Sequence, residues 1–258
     1  MTLNERQNMI LNVLKEQDTV MVQELVESLN VSEITVRRDL DLLEKSKKLI
    51  RTRGGARLAA EDPHYLNQRY EMQSTMNLEG KKAIGKLAAS MVLHGETIVI
   101  DSGSTAIQLA RHLHNKRGVT ALVTAVNIAE VLEGREGVNT ILAGGVYRAK
   151  TAALTSPFLE NFFTSIYADK VFLGVTKFCL EFGFSGNDFY EYGTKKLILN
   201  AGREVYWLAD STKLNEEDAK ANIHISSLQS NHHIITDKGI QPEVREQLER
   251  VCHLHVAQ

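Results

Sequence analysis

The chain has 258 residues, of which 43% are hydrophobic and 24% charged, enough for one large domain or two, which excludes a disulfide miniprotein and a disordered tail. Its formal net charge of −2 gives no overall sign of a nucleic-acid partner. The two cysteines are far apart in sequence, so we expect no disulfide framework. No stretch reaches about 18 uninterrupted apolar residues, so we expect no membrane span, and we expect no signal peptide. These features predict a cytoplasmic protein.

Charge is unevenly distributed over the first 58 residues. Residues 1–36 carry two basic and six acidic residues, net −4, whereas residues 37–58 carry eight basic and three acidic residues, net +5. A charge cluster alone is more often a solvated surface than a binding site, so its position on the local structure decides between the two. The basic residues of the second segment are Arg37, Arg38, Lys45, Lys47, Lys48, Arg51, Arg53 and Arg57.

Apolar residues recur at helical spacing in three short segments of this region. Helices this short are not stable alone, so their apolar faces must pack together, as in a helix-turn-helix unit. Asn30 can end the second helix in a left-handed conformation and Ser32 can cap the third, which places the motif at residues 20–39. The recurring residues are Met9, Ile10, Val13 and Leu14; Val22, Leu25, Val26 and Leu29; and Val36, Leu40 and Leu43.

The third helix and the residues after it carry groups that suit a DNA duplex. The outer face of the helix is polar and basic in its N-terminal half, where a recognition helix meets base edges, and arginine can form two hydrogen bonds to guanine. Residues 48–58 then predict two short strands around a Gly54-Gly55 turn, which form a basic wing. We predict double-stranded DNA as a partner, bound by Ser32, Glu33, Thr35, Arg37, Arg38, Lys48, Arg51, Arg53 and Gly54.

This pattern resembles the N-terminal signature of the DeoR family of bacterial sugar-metabolism repressors. Two positions differ: Arg53 precedes Gly54-Gly55 where members commonly have histidine, and Lys47 stands where a turn glycine is common. The resemblance implies a winged helix-turn-helix repressor, and the differences bear on its operator preference. The matching residues are Arg6, Ile10, Leu14, Ser32, Thr35, Val36, Arg37, Arg38, Asp39 and Leu40.

The rest of the chain predicts a linker and then an α/β domain. Residues 59–77 are polar and irregular and include Pro63. From Leu78 onward, β-rich apolar runs alternate with helical patterns, which favours a mostly parallel sheet flanked by helices. We predict a winged helix-turn-helix domain over 1–58, a linker over 59–77 and a sensor domain over 78–258, with strands near 97–100, 120–124, 140–143, 170–175, 204–209, 233–236 and 254–257.

Ligands of such sheets bind beyond the carboxyl ends of the strands, where the first predicted strand is followed by Asp101-Ser102-Gly103-Ser104-Thr105. We expect a helix to begin at Ser104. A glycine-containing, hydroxyl-rich turn that opens a helix offers backbone N–H groups and hydroxyls to a phosphate. The same residues suit an ordinary capped turn equally well, so this segment alone leaves both interpretations open.

The second domain also resembles the DeoR family, at successive strand ends. Residues 101–105 match D-x-GST, Gly144, Gly145 and Arg148 match GG-x-x-R, and residues 210–213 match D-S-[ST]-K. The resemblance implies the fold of ribose-5-phosphate isomerase and CoA-transferases. It also implies that the ligand is an allosteric phosphorylated sugar and that the domain needs no catalytic cofactor. The effector-binding residues implied in this way are Asp101, Gly103, Ser104, Thr105, Gly144, Arg148, Asp210 and Lys213.

Three segments depart from the family pattern. Ala125-Val126 follow Thr124 where Asn-Ser is usual, and Ser156-Pro157 stand where Gly-Pro is usual. Tyr192-Gly193 separate Glu191 from Lys195 where small helix-forming residues are usual. These differences indicate an unusual effector.

Two other functional classes stay open. The carboxylates Asp101 and Glu191 suit an isomerase-like enzyme, but no pattern places a base on a carbon-bound proton, and the basic wing would then be unexplained. A DNA-binding protein without a ligand would not require the turn at residues 101–105.

The histidines and the DNA-binding unit lead to two further expectations. His112/His114 and His253/His255 form HxH pairs, but no third ligand is evident, so we predict no metal site. Proteins with two-fold symmetry read repeated half-sites, so we expect a homo-oligomer, either a dimer or a tetramer.

Overall fold

The computed structural model describes residues 3–17, 19–46, 48–52, 54–58, 74–148, 151–155, 159–215 and 221–258. The chain divides into an N-terminal unit, Met1–Glu71, and a C-terminal unit, Met72–Gln258. Most of the predicted linker, residues 59–73, lies outside the described residues.

The N-terminal unit contains three helices and a small antiparallel sheet. The strands lie in the order β1-β3-β2. The three predicted helices and the predicted hairpin are confirmed, and β1 is an additional strand that pairs with β3. The elements are α1 (Leu3–Gln17), β1 (Thr19–Met21), α2 (Val22–Leu29), α3 (Glu33–Lys45), β2 (Leu49–Thr52) and β3 (Gly55–Leu58).

The apolar face of each helix meets the others in one core. Ile10, Leu25 and Leu40 are completely buried there, one from each helix. Asn30 ends α2 with a left-handed φ of 50°, and the Ser32 hydroxyl accepts a hydrogen bond from the Thr35 N–H at 3.3 Å. The predicted turn chemistry is therefore confirmed, and it fixes where α3 begins.

The C-terminal unit alternates strands and helices. Its helices are α4 (Leu78–Met91), α5 (Ala106–His112), α6 (Val126–Leu132), α7 (Leu159–Thr164), α8 (Phe189–Ala201), α9 (Ser211–Leu214) and α10 (Pro242–Glu249). Its strands are β4 (Thr97–Ile100), β5 (Val119–Val123), β6 (Val138–Leu142), β7 (Val146–Arg148), β8 (Ala153–Thr155), β9 (Ala168–Gly174), β10 (Lys177–Cys179), β11 (Gly183–Gly186), β12 (Gly202–Leu208), β13 (Ile223–Ser226), β14 (His232–Asp237) and β15 (His253–Ala257).

Seven of these strands form one parallel sheet in the order β15-β14-β12-β9-β4-β5-β6. The chain runs outward from β4 to β6, returns to β9 on the other side of β4, and then runs outward to β15. The two directions separate between β4 and β9, which is the position where open α/β sheets place a ligand crevice. This sheet confirms the predicted architecture, whereas the two-stranded antiparallel sheet β7-β8 and the three-stranded antiparallel sheet β10-β11-β13 were not predicted.

Helices cover both faces of the sheet because its strands are apolar on both sides. Ile98 and Ile100 of β4 pack in one core with α4, α5 and α6, and Val99 between them packs in a second core with α7, α8 and α10. Alternate side chains of a strand point to opposite faces, so one apolar run supplies both cores. The loops at the carboxyl edge of the sheet are thereby held on a rigid support.

A row of rings crosses the sheet at matching positions of four neighbouring strands. Phe172, Tyr206, His233 and His253 lie in register, with ring centroids 5.1, 4.4 and 4.7 Å apart in that order. His255 extends the row through a 3.0 Å contact between its Nε2 and Nδ1 of His233. These spacings match the separation of adjacent strands, so the rings pack as cross-strand neighbours.

The described residues contain neither a candidate metal cluster nor a helix that could span a membrane. Within those ranges, no three or more His, Cys, Asp or Glu side chains are grouped so that they could hold a metal ion. No helix of the described part is long and apolar enough to cross a membrane.

Candidate functional site

The outer face of α3 presents the residues predicted to meet DNA. Ser32, Glu33, Arg37 and Arg38 are exposed, and Thr35 is half-buried. Ile34 was not predicted as a site residue, yet it is 80% exposed on the same face. Ile34 does not belong to the apolar stripe Val36, Leu40 and Leu43, and this could have predicted its exposure from the sequence. An exposed apolar side chain at this position suits a contact with the methyl group of thymine.

The basic residues of this unit differ in their surroundings. Arg37 donates from Nε to Glu33 Oε1 at 2.8 Å, and the two side chains are 50% and 59% exposed. The Arg51 guanidinium instead forms an ion pair with Asp41 and donates to the Arg37 carbonyl at 3.2 Å, and its backbone N–H donates to Glu44 at 2.8 Å. Arg51 therefore connects β2 to α3 through its side chain and its backbone.

The remaining wing residues are placed differently from one another. Lys48 is exposed, and Arg53 lies outside the described residues. Gly54 has a φ of +92°, which favours glycine, and its carbonyl accepts a hydrogen bond from the Val22 N–H at 2.9 Å. Gly54 thus shapes the turn through its backbone.

Arg6 and Asp39, which belong to the predicted signature, form an internal ion pair. Asp39 is 1% exposed and accepts from Arg6 Nη2 at 3.1 Å, with a second contact from Nε. These hydrogen bonds raise the pKa of the Arg6 guanidinium. The pair connects α1 to α3 and so supports the recognition helix from behind.

A second polar site lies at the carboxyl edge of the large sheet, where β4 and β9 diverge. Asp101 follows β4 and forms a buried ion pair with Lys195 of α8. Asp101 Oδ2 also accepts from the Gly174 N–H at 3.2 Å, and Lys195 donates to the Gly174 carbonyl at 2.8 Å. Gly174 also lies close to the turn after β4, since an added Cβ would lie 3.0 Å from the Ser102 carbonyl oxygen, a tight contact that a shift of a few tenths of an ångström would relieve.

Glu191 and Thr124 add polar groups near this pair. Burial raises the pKa of Glu191, Lys195 opposes that shift, and Asp101 reinforces it. The buried Thr124 hydroxyl has no hydrogen-bond partner among the described residues, and its backbone N–H bonds to Ile100, the neighbour of Asp101. A buried hydroxyl without a partner is costly, so a ligand group or water is expected beside it.

The turn after β4 is open on its outer side. Gly103 has a φ of +124°, and an added Cβ there would meet nothing within 4 Å. Ser104 is half-exposed and Thr105 is buried. Helix α5 begins at Ala106, so the predicted start at Ser104 is wrong by two residues, because residues 103–105 form the turn itself.

Arg148, at the end of β7, lies beside the N-terminus of α8. Its Nη2 is 3.1 Å from Asp188 Oδ2, and its guanidinium lies 4.6 Å from the centre of the Tyr190 ring. Asp188 also caps α8 by accepting from the Tyr190 N–H at 2.9 Å. Arg148 and Tyr190 border a cavity of about 620 Å³, whose other walls include Thr194 and the apolar side chain of Val146.

The late D-S-T-K segment is held by contacts within the protein. Asp210 caps α9 by accepting from the Thr212 N–H at 3.2 Å, and its Oδ2 lies 3.8 Å from the ammonium of buried Lys81. Burial lowers the pKa of Lys81, the negative charge of Asp210 partly opposes that shift, and the positive charge of Lys213 adds to it. Within the described part of the chain Lys213 makes no ion pair. Gly144 is distant from this segment in the strand order, because it follows β6, the edge strand on the other side of β4.

Asp101 is one of the predicted effector-binding residues, whereas its partner Lys195 is not. Lys195 and Glu191 lie one helical turn apart on α8, so both reach the edge where Asp101 stands. Lys81 was not singled out. Its position on the apolar face of α4, where a lysine needs a buried partner, was the available signal.

Comparison with known proteins identifies both units. The chain matches the DeoR-like helix-turn-helix domain over residues 6–62 and the DeoR C terminal sensor domain over residues 76–238. The chain belongs to the DeoR family. The two matches confirm the predicted family, and the helix-turn-helix domain implies that the protein binds DNA.

Curated DeoR-family relatives align along most of the chain. The HTH-type transcriptional regulator GolR of Listeria innocua is 32% identical over 81% of this chain and 82% of its own length. The lactose phosphotransferase system repressor of Lactococcus lactis is 30% identical over 96% of both chains. Among solved structures, ribose 5-phosphate isomerase A from Methanocaldococcus jannaschii matches with 17% identity and a TM-score of 0.38, over 53% of this chain and 54% of that one.

Proposed function

We propose that this protein represses a carbohydrate-metabolism operon and that a phosphorylated sugar, bound in the C-terminal unit, changes its affinity for operator DNA. The buried Lys195–Asp101 pair carries the proposal, since it stands where an α/β sheet places its ligand, in a chain that also holds a winged helix-turn-helix. Relatives include a lactose phosphotransferase system repressor and a glycerol-3-phosphate regulon repressor, which supports this class of ligand.

The polar groups around the pair suit a polyhydroxylated ligand. Asp101 can accept from sugar hydroxyls, and Thr124 offers a hydroxyl without a partner in the described structure. The open turn at Gly103, Ser104 and Thr105 offers backbone and hydroxyl donors to the phosphate. Lys213 supplies a positive charge that adapts to a phosphate without fixed geometry.

Ligand and DNA are coupled only if the ligand binds the two DNA-affinity states differently. We propose a homo-oligomer, dimer or tetramer, in which the ligand alters the spacing of two winged units over two half-sites. The protein would work in the cytoplasm, where its DNA lies, without a catalytic cofactor.

Catalysis is the alternative, because isomerases use carboxylates on similar ligands. An isomerase base must be free to take a carbon-bound proton. Asp101 is already engaged by Lys195 and by the Gly174 N–H, which makes it less available as a base. These contacts favour binding over proton abstraction.

The test is a thermal-shift screen of the full chain against phosphorylated sugars, with inorganic phosphate and the unphosphorylated sugars as controls. A sugar phosphate at 100 times its Kd stabilises the folded state by about 2.7 kcal/mol. The same compound must change the affinity for a duplex selected from random DNA, and Lys213→Ala must keep DNA binding but lose this response. Stabilisation without any change in DNA affinity, or turnover of the sugar phosphate, would contradict the proposal.

A further inference from the structure

The first two turns of α3 hold an arginine that contacts a carboxylate through one edge of its guanidinium. Glu33 and Arg37 lie one helical turn apart, and a single oxygen, Glu33 Oε1, accepts from Arg37 Nε at 2.8 Å and lies 2.7 Å from Arg37 Nη2. The Ser32 cap sets the start of the helix, and its hydroxyl lies 2.9 Å from the Thr35 hydroxyl. Glu33 and Arg37 therefore project from a well-defined helix end.

The contact uses one edge of the guanidinium and leaves another available. A guanidinium has five N–H groups in a planar fork. Glu33 takes the edge formed by Nε and Nη2, so the end-on edge formed by Nη1 and Nη2 still presents two parallel N–H groups. In the major groove, guanine offers two neighbouring acceptors, O6 and N7, which match such an edge.

We infer that Arg37 reads the guanine of a G·C pair in the operator, and that Glu33 is a positioning residue that holds the plane of the Arg37 guanidinium for this contact. The inference rests on the proposed function in DNA binding and adds the base that one residue recognises. Free arginine side chains sample many rotamers, and a fixed guanidinium loses less entropy when it binds.

Arg51 provides the contrast within the same unit. It also pairs with a carboxylate, Asp41, but its side chain is only 20% exposed and it bonds to the Arg37 carbonyl. Its hydrogen bonds run toward α3, whereas the Arg37 side chain is 50% exposed on the outer face. Of the two arginines, Arg37 is therefore the one placed to read a base.

The experiment selects duplexes from a random double-stranded DNA library with the full chain and then measures affinities for the selected duplex and its single-base-pair variants at one salt concentration. Arg37→Lys keeps the charge but cannot form the fork, and Glu33→Ala removes the positioning carboxylate. Glu27→Ala, at an exposed carboxylate of α2, is the matched control. Circular dichroism confirms that each variant is folded.

The wild-type protein is expected to prefer G·C at one position by roughly 5- to 150-fold. Arg37→Lys should abolish that preference, Glu33→Ala should weaken it at the same position, and Glu27→Ala should leave it unchanged. If Glu33→Ala alters a different position, Glu33 contacts a base itself and the positioning role is wrong. If both variants keep the wild-type preference, the inference fails while the DNA-binding proposal stands. If the wild-type chain selects no sequence at all, the proposed function fails and this inference fails with it.

Discussion

Replacing Lys195 with methionine should destabilise the C-terminal unit strongly. The side chains of Lys195 and Asp101 are each 4% exposed, so the substitution leaves the Asp101 carboxylate buried, with the Gly174 N–H as its remaining donor among the described residues. Removing one partner of a buried ion pair costs about 3–5 kcal/mol, because the remaining charge is neither solvated nor paired. Neutralising both partners, as in Asp101→Asn with Lys195→Met, should recover most of that loss.

Urea denaturation followed by tryptophan fluorescence measures this directly. Trp207 is the one tryptophan of the sequence, is completely buried and stacks on Phe184 with ring centroids 3.7 Å apart, so its emission reports the C-terminal unit. Lys196→Met, the adjacent and partly exposed lysine of α8, should cost less than about 1 kcal/mol. The buried ion pair does not have the predicted role if Lys195→Met lowers the free energy of unfolding no more than this control does. The same conclusion follows if the double variant loses as much unfolding free energy as the two single variants together.

Three further predictions concern other sites. Burial lowers the pKa of His232 from 6.5 to about 4, so the unfolded state binds a proton at a higher pH than the folded state does. The free energy of unfolding should therefore fall by about 3 kcal/mol as the pH drops from 6.5 to 4. Urea titrations should show a weaker pH dependence for His232→Gln, and an unchanged one for the control His114→Gln at an exposed histidine. Arg38 is exposed on the outer face of α3 and is expected to contact a phosphate, so Arg38→Ala should weaken binding to all duplexes alike and reduce the slope of log affinity against log salt by about 1. A change confined to one base pair would contradict that contact. Asp39→Asn should lower the urea midpoint of the N-terminal unit, followed by circular dichroism, because it removes the buried partner of Arg6; an unchanged midpoint would show that the pair adds no stability.

The main elements could be predicted from the sequence because their patterns are local. The run at 97–100 is apolar on both faces, which requires helices on both sides of a strand, and the three-helix unit follows from repeated apolar spacing. Strands β10, β11 and β13 have three or four residues each, and β11 includes Gly183 and Gly186. Such short segments are held by packing, for example of Phe178 against Phe184, which no local pattern reveals.

The site was harder to predict because its contacts join distant parts of the chain. Asp101 and Lys195 are 94 residues apart, and only the return of the chain from β6 to β9 brings them together. Arg37 and Arg51 look equivalent in a basic segment, yet Asp41 draws one of them inward. Charge counting identifies such a surface but does not separate its binding residues from its structural ones.

The attachment of Arg51 to α3 affects how the protein can measure the shape of DNA. Asp41, Glu44 and the Arg37 carbonyl hold β2 against the recognition helix, so the helix and this wing strand form one rigid piece. A duplex that binds must then have a matching distance between the groove that α3 contacts and the neighbouring backbone that the wing contacts. Groove width and bendability depend on base sequence, so base pairs that no side chain touches would still contribute to operator choice.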